Sequence, residues 1–171
     1  RVTVIGLGYV GLTAAAVTAH LGHHVLGVEI DQARLANLRA GKIGILEPGL
    51  EGLLAEGLDT QRIKLAHPDD VAVEERDAIM VAVGTPSMTD GSADTSQIFS
   101  AIHWALARTV GPSVVVMKSS VPPGTGVHIC DTVLNGTEFQ YASNPEFLRQ
   151  GSAVEDWLNP ARIISGGQTP E

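Results

Sequence analysis

Residues 2–22 constrain this chain more than any other stretch. They read VTVIG, then LGYVG, then LTAAAVTAHLG. A four-residue apolar run breaks at Gly6-x-Gly8-x-x-Gly11, and a helical pattern follows at once. Val10, Ala14, Val17 and Leu21 fall on one helical face, and Gly22 closes the segment. A glycine triplet of this spacing means little alone. Between a buried strand and an apolar helix it has a physical reading. Gly6 permits the tight turn, Gly8 lets a pyrophosphate approach the backbone, and Gly11 allows close helix–strand contact. The free N–H groups of the helix N-terminus then face the anion. The competing reading is a glycine-rich turn that binds nothing.

The rest of the chain repeats the strand–helix alternation. Apolar strand-like runs occupy residues 25–29, 63–66, 78–83, 114–117, 139–142 and 163–165. Helical stretches occupy 32–40, 48–57 and 125–134. Another helix follows Asp94, which can cap it, with Gln97 at the capping-box position. Its inner face is Ile98, Ala101, Ile102, Ala105 and Leu106. Fully apolar strands joined through helices predict an α/β fold. The architecture is a Rossmann-like doubly wound parallel sheet with helices on both faces, linked by right-handed crossovers. At 171 residues the chain suits one such domain. Arg1 begins inside a strand without a Met, so the expectation is a domain trimmed from a longer protein.

Composition narrows the function. A net charge of −8 with no basic run argues against nucleic acid. No apolar run reaches the ~20 residues of a membrane span, and no signal peptide is visible. Cys130 is the only cysteine, which suits a reducing, cytoplasmic setting. Glu29 ends the second strand, 18 residues past Gly11. An acid there accepts from adenosine ribose hydroxyls and repels a 2′-phosphate, favouring NAD over NADP. Arg34 pulls the other way, since it can meet a phosphate. Asp31 is read as the cap of the helix that begins at Gln32.

Ligands of an open parallel sheet bind outside the carboxyl ends of its strands. Three such exits carry unusual residues: Gly84-Thr85-Pro86, Ser119-Ser120-Val121-Pro122-Pro123-Gly124-Thr125, and Asn144-Pro145-Glu146. Proline and glycine are also ordinary strand terminators. Three such turns on one edge favour a site, with hydroxyls at the strand tips able to hold a nicotinamide amide or a water.

With these motifs in order, the chain resembles the UDP-glucose/GDP-mannose dehydrogenase family. The resemblance rests on GLGYVGL, EPGLEGLL at 47–54, VGTP at 83–86, Ala93-Asp94, KSSVPPGT at 118–125 and NPEFLRQGSA at 144–153. It covers residues 2–166 and corresponds to that family's N-terminal NAD-binding domain. The central helix and the C-terminal, nucleotide-sugar-binding domain are then missing. The resemblance implies oxidation of a nucleotide sugar at C6, from alcohol to carboxylate, with two NAD reduced, as in polysaccharide precursor metabolism. A cysteine of the later domain forms a thiohemiacetal and then a thioester in such enzymes, so this domain alone is expected to bind NAD without turning over. UDP-glucose is favoured over GDP-mannose. A non-catalytic NAD-binding module is the reading from a different class. A homo-oligomer is implied for the full-length protein.

Carried over residue by residue, the resemblance places Gly6, Gly8, Tyr9, Val10 and Gly11 along the pyrophosphate, and Glu29 and Arg34 near the adenosine ribose. Thr85, Ser119 and Ser120 fall on the nicotinamide side. Ser120 stands where the family usually has threonine, a hydroxyl that holds the active-site water. Glu146 matches an active-centre carboxylate, and Phe147, Leu148 and Arg149 line the sugar-nucleotide pocket. Gln150 stands where the family commonly has a second glutamate implicated as a base. A carboxamide takes no proton at neutral pH, so altered or slowed thioester hydrolysis is expected, with Glu146 or a group outside this chain as base and Gln150 able to position a water by hydrogen bonding.

Other polar residues have blander readings. Cys130 is a core thiol, and no histidine has metal-ligand spacing. His103 and Trp104 lie off the apolar face of their helix and are read as surface. Glu47 either lines the cleft or caps a helix, and the sequence leaves both open.

Overall fold

The structure, a computed structural model, describes residues 1–167. The strands are β1 (Val2–Ile5), β2 (Val25–Val28), β3 (Ile63–Ala66), β4 (Glu74–Glu75), β5 (Ala78–Val81), β6 (Thr109–Val110), β7 (Ser113–Met117), β8 (Phe139–Ser143) and β9 (Gly166–Gly167). The helices are α1 (Tyr9–His20), α2 (Gln32–Arg39), α3 (Leu50–Asp59), α4 (Ser96–Arg108), α5 (Thr125–His128, continued by a π-helical turn Ile129–Val133) and α6 (Ala153–Leu158). Seven strands form one sheet in the order β3-β2-β1-β5-β7-β8-β9. All its pairings are parallel except the last. The chain lays β2 and β3 on one side of β1, then returns to build β5, β7 and β8 on the other. The reversal between β1 and β5 is a topological switch point, where doubly wound sheets open a crevice.

Two cores cover the two faces. Successive strand residues point to opposite sides, so Val4 joins Leu12, Ala15, Leu35, Leu50 and Leu54 beneath α1, α2 and α3. Ile5 instead joins Ile79, Val81, Ile98, Ile102, Met117 and Ile129 beneath α4 and α5. Cys130 is buried in this second core, and burial pushes its thiol pKa up. The doubly wound sheet expected from the alternation is present.

Several local expectations change. Residues 163–165 are not a strand. Ile163 and Ile164 are exposed, and the last strand is the two-residue β9, antiparallel to β8. The apolar pair mimicked a strand, but no strand hydrogen-bonds to it; the Ile164 carbonyl instead accepts from Asn144 Nδ2 at 2.8 Å. Helix α3 starts at Leu50, behind Gly49, whose φ of +82° suits glycine. Helix α4 starts at Ser96, where the Asp94 carboxylate accepts the Ser96 amide at 2.9 Å. Gln97 returns no hydrogen bond among the described residues. Asp31 caps α2 as read, accepting from the Ala33 and Arg34 amides. Trp104 is not a surface residue: it packs against the second core and donates its indole N–H to the Pro68 carbonyl.

Candidate functional site

The strand exits gather at one edge of the sheet. At the first, the three glycines have distinct steric situations. Gly6 has φ +87°, and a Cβ on it would lie 2.8 Å from the Ala82 carbonyl oxygen. A Cβ on Gly11 would lie 1.8 Å from the Gly6 oxygen and 3.2 Å from Ala82 Cβ. A Cβ on Gly8 would meet nothing within 4 Å. The first and third glycines therefore let α1 dock against β1 and the chain after β5, while the second faces open space.

That space fits a dinucleotide pyrophosphate. Gly8 is the N-cap of α1 and brings no side-chain cap, and the first turn carries no acid to compete with an anion. The leading N–H groups of a 12-residue helix are thus free to donate. An open approach over Gly8 and an uncapped helix are properties of the chain itself.

Glu29 follows β2 and is 4% exposed. Its carboxylate accepts from the Leu7 amide at 3.1 Å and the Asp31 amide at 2.9 Å, with Arg34 Nη1 at 3.2 Å. It therefore braces the glycine turn through the Leu7 amide. The Arg34 side chain is half exposed and forms the outer lip.

Across the crevice, Ser119 and Ser120 divide their tasks. The Ser119 hydroxyl donates to the Val83 carbonyl at 2.7 Å, tying the end of β7 to the end of β5. Ser120 is exposed, and its hydroxyl has no protein partner among the described residues. Thr85 is half-buried on the adjacent exit.

The exit of β8 borders a cleft of about 440 Å³ lined by Lys118, Asn144, Glu146, Phe147, Leu148, Arg149, Asp156, Trp157 and Arg162. All four residues read as substrate-side, Glu146 to Arg149, line it. Gln150 is exposed and does not. The Glu146 carboxylate accepts the Leu148 amide, which fixes the turn. Arg149 forks onto Asp156, Nη2 to Oδ1 at 2.6 Å and Nε to Oδ2 at 3.1 Å. These bonds hold the Asp156 carboxyl below its usual range. The Arg162 guanidinium stacks 4.7 Å from the Phe147 ring centroid.

Lys118 is the residue the sequence reading passed over. It is 6% exposed, donates from Nζ to Asn144 Oδ1 at 3.0 Å, and sits 4.6 Å from the Trp157 ring centroid. Burial lowers its pKa, against the opposing pull of Glu146. The result is a desolvated ammonium with donors to spare at a strand exit, within the field of the Glu146 carboxylate. Its signal was legible as the single lysine ending an apolar strand.

Glu47, left open by the sequence, is 6% exposed and joins the two halves of the edge. Its Oε1 accepts the Ala153 amide at 2.7 Å, and its Oε2 accepts the Gly151 amide at 2.8 Å. The Tyr9 hydroxyl lies 3.1 Å from the same Oε2 and 2.9 Å from the Arg149 carbonyl oxygen. Burial first, then Glu47, pushes the Tyr9 phenol up to about 12. Glu47 thus caps a helix, α6, through the Ala153 amide, and is not among the residues lining the cleft.

Comparisons with known proteins agree with this geometry. The sequence profile described as "UDP-glucose/GDP-mannose dehydrogenase family, NAD binding domain" matches residues 1–171. A UDP-glucose 6-dehydrogenase of Rhizobium meliloti is 40% identical over 97% of this chain and 39% of its own length. Among solved structures, a UDP-glucose dehydrogenase from Pyrobaculum islandicum superposes with TM-score 0.87 at 40% identity, covering 98% of this chain and 40% of the other. A GDP-mannose dehydrogenase from Pseudomonas aeruginosa superposes with TM-score 0.86 at 31% identity, covering 98% and 41%. The chain spans about 40% of the length of the relatives it matches. Among the described residues, no helix is long and apolar enough to cross a membrane.

Proposed function

The chain belongs to the UDP-glucose/GDP-mannose dehydrogenase family, as its NAD-binding domain, and from that premise we propose that it is the cofactor half of a cytoplasmic nucleotide-sugar 6-dehydrogenase whose substrate is UDP-glucose. The observation that carries the proposal is the single carboxyl edge. The pyrophosphate turn at Gly6–Gly11 and the cleft lined by Lys118, Glu146 and Arg149 lie on it together, joined by Tyr9 and Glu47. A module that only bound NAD would have no use for a second, charged cleft bordered by a buried ammonium.

When bound, NAD would supply the hydride acceptor, two per substrate, for oxidation of the C6 alcohol to a carboxylate. The protein's part is orientation and charge. Backbone N–H groups of the α1 N-terminus hold the diphosphate, while Arg34 and Glu29 take the adenosine side. Ser120 has an uncommitted hydroxyl and holds a water at the nicotinamide side, with Thr85 next to it. Glu146 is the active-centre carboxylate of the cleft, and Lys118 opposes its charge. Phe147, Leu148 and Arg149 line the sugar-nucleotide cleft. Gln150 lies outside that cleft's lining and positions a water once the substrate-binding domain closes over it. The thiol nucleophile comes from beyond residue 171, so the domain alone binds NAD without activity.

The preference for UDP-glucose over GDP-mannose is supported by 40% against 31% identity to the respective relatives. The test is NADH formation by the full-length protein with a panel of UDP- and GDP-sugars. Highest kcat/KM with UDP-glucose is expected. A preference for GDP-mannose moves the assignment within the family, and no NADH with any nucleotide sugar overturns it.

A further inference from the structure

We propose that Glu47 is a positioning residue that couples the cofactor turn to the substrate-side loop, so that occupancy of one orders the other. The proposal rests on the cofactor reading above and asks how its two halves communicate.

Two segments far apart in sequence converge on this one carboxylate. From the first comes Tyr9, the opening residue of α1, whose ring follows the turn that faces the pyrophosphate. From the second come the Gly151 and Ala153 amides, 104 and 106 residues away from Glu47. Gly151 has φ +89° and ends the 144–151 segment that borders the cleft, and Ala153 begins α6. The Tyr9 hydroxyl also reaches the Arg149 carbonyl. Arg149 in turn is pinned to Asp156 on α6. A displacement of Tyr9 is therefore transmitted to the backbone on both sides of Gln150, through hydrogen bonds to a charged group with almost no access to water. Charge-assisted bonds in such surroundings are stronger than neutral ones and enforce geometry.

The arrangement exceeds what a helix cap requires. One oxygen suffices to cap α6, and Oε1 does so with Ala153. Oε2 instead collects Gly151 and Tyr9, one from each side of the site. A glutamine cannot reproduce this. Whichever way its amide lies, its NH₂ faces a backbone N–H, and one donor loses its acceptor.

The test is hydrogen–deuterium exchange of the peptide carrying Gly151 and Ala153, in the full-length protein with and without NAD, alongside calorimetry of NAD binding. In the natural protein NAD is expected to slow exchange of this peptide. Glu47→Gln is expected to speed its exchange roughly ten- to a hundredfold, the range spanned by a hydrogen bond to a charged group, and NAD no longer restores it. Tyr9→Phe keeps both amide bonds, so basal exchange stays slow while the NAD-dependent slowing disappears. NAD-dependent slowing that survives in Tyr9→Phe, or unchanged exchange in Glu47→Gln, overturns the coupling. Amides of β1 and β5 serve as the folding control; if they too exchange fast in Glu47→Gln, the Tyr9→Phe result alone decides. Calorimetry separates the two readings, because NAD binding without a response at Gly151 refutes the coupling and leaves the cofactor assignment standing.

Discussion

Replacing Gly8 and Gly11 singly by alanine should separate folding from binding. A Gly11 Cβ would sit 1.8 Å from the Gly6 carbonyl oxygen, where ordinary contact begins near 3.4 Å. The first turn of α1 must therefore back away by about 1.6 Å. Gly6 has little room to yield instead, because its φ is +87° and the chain at Ala82 runs so close that even a Cβ on Gly6 would lie 2.8 Å from the Ala82 oxygen. Withdrawal of α1 unseats Leu12, Ala15 and Ala16, all fully buried. Overpacking costs about 1–3 kcal/mol when side chains can adjust, and a clash between two backbones belongs at or above the upper end. At roughly 2–4 °C per kcal/mol for a domain of this size, Gly11→Ala should lower Tm by about 6–12 °C. Gly8 differs, since its φ of −69° suits any residue and its Cβ meets nothing. The entropy gained from stiffening the unfolded chain opposes a weaker N-cap, so Gly8→Ala stability should stay within about 1 kcal/mol. Its methyl nevertheless occupies the approach to the helix N-terminus. Loss of one charge-assisted bond there should weaken NAD about 10- to 100-fold. Thermal unfolding and calorimetry with NAD read the two effects. Gly8→Ala binding NAD as well as the natural protein, or Gly11→Ala unfolding at the natural Tm, would refute the steric argument.

Lys118→Met should lower kcat severely yet change stability by no more than about 2 kcal/mol in either direction. The charge-assisted bond to Asn144 and the Trp157 contact contribute about 1.5–3 and up to about 2 kcal/mol, against a desolvation cost of several kcal/mol; urea unfolding beside steady-state kinetics checks both. Tyr9 and Tyr141 are the only tyrosines of this domain. With the Tyr9 pKa raised to about 12, its contribution to stability is complete below its ordinary 10.0 and is lost as pH rises from there through about 12. Tyr9→Phe should flatten that alkaline decline in a series of unfolding curves. Gln150→Glu in the full-length enzyme should speed release of acid product, read by rapid quench. Unchanged release means this position does not limit hydrolysis.

Much of the fold was legible because it rests on local rules. Apolar runs alternating with helical patterns gave the parallel strands, and an aspartate before Gln32 gave a cap that the structure contains; the 4-3-4 spacing from Val10 to Leu21 located α1 but not its buried face, since Leu21 is exposed and Gly11 to Ala19 are buried all round. The pyrophosphate turn was legible for the same reason, since its three glycines and the flanking elements are contiguous. What stayed hidden is non-local. Glu47 is defined by amides more than a hundred residues away, and Lys118 by Asn144 and Trp157, which only the β7–β8 pairing brings near. Ile163 and Ile164 misled in the opposite sense, because apolar, β-branched residues resemble a strand whether or not a neighbour is there to pair. Gln150, marked by the resemblance as a missing base, turns out to be exposed and outside the cleft lining, so its part depends on what closes over it.

The most direct test of the central claim is the number of NADH molecules formed per UDP-glucose consumed by the full-length protein. Two, with UDP-glucuronate as the product, is the predicted result. One NADH with release of the aldehyde, or none, would contradict the assignment.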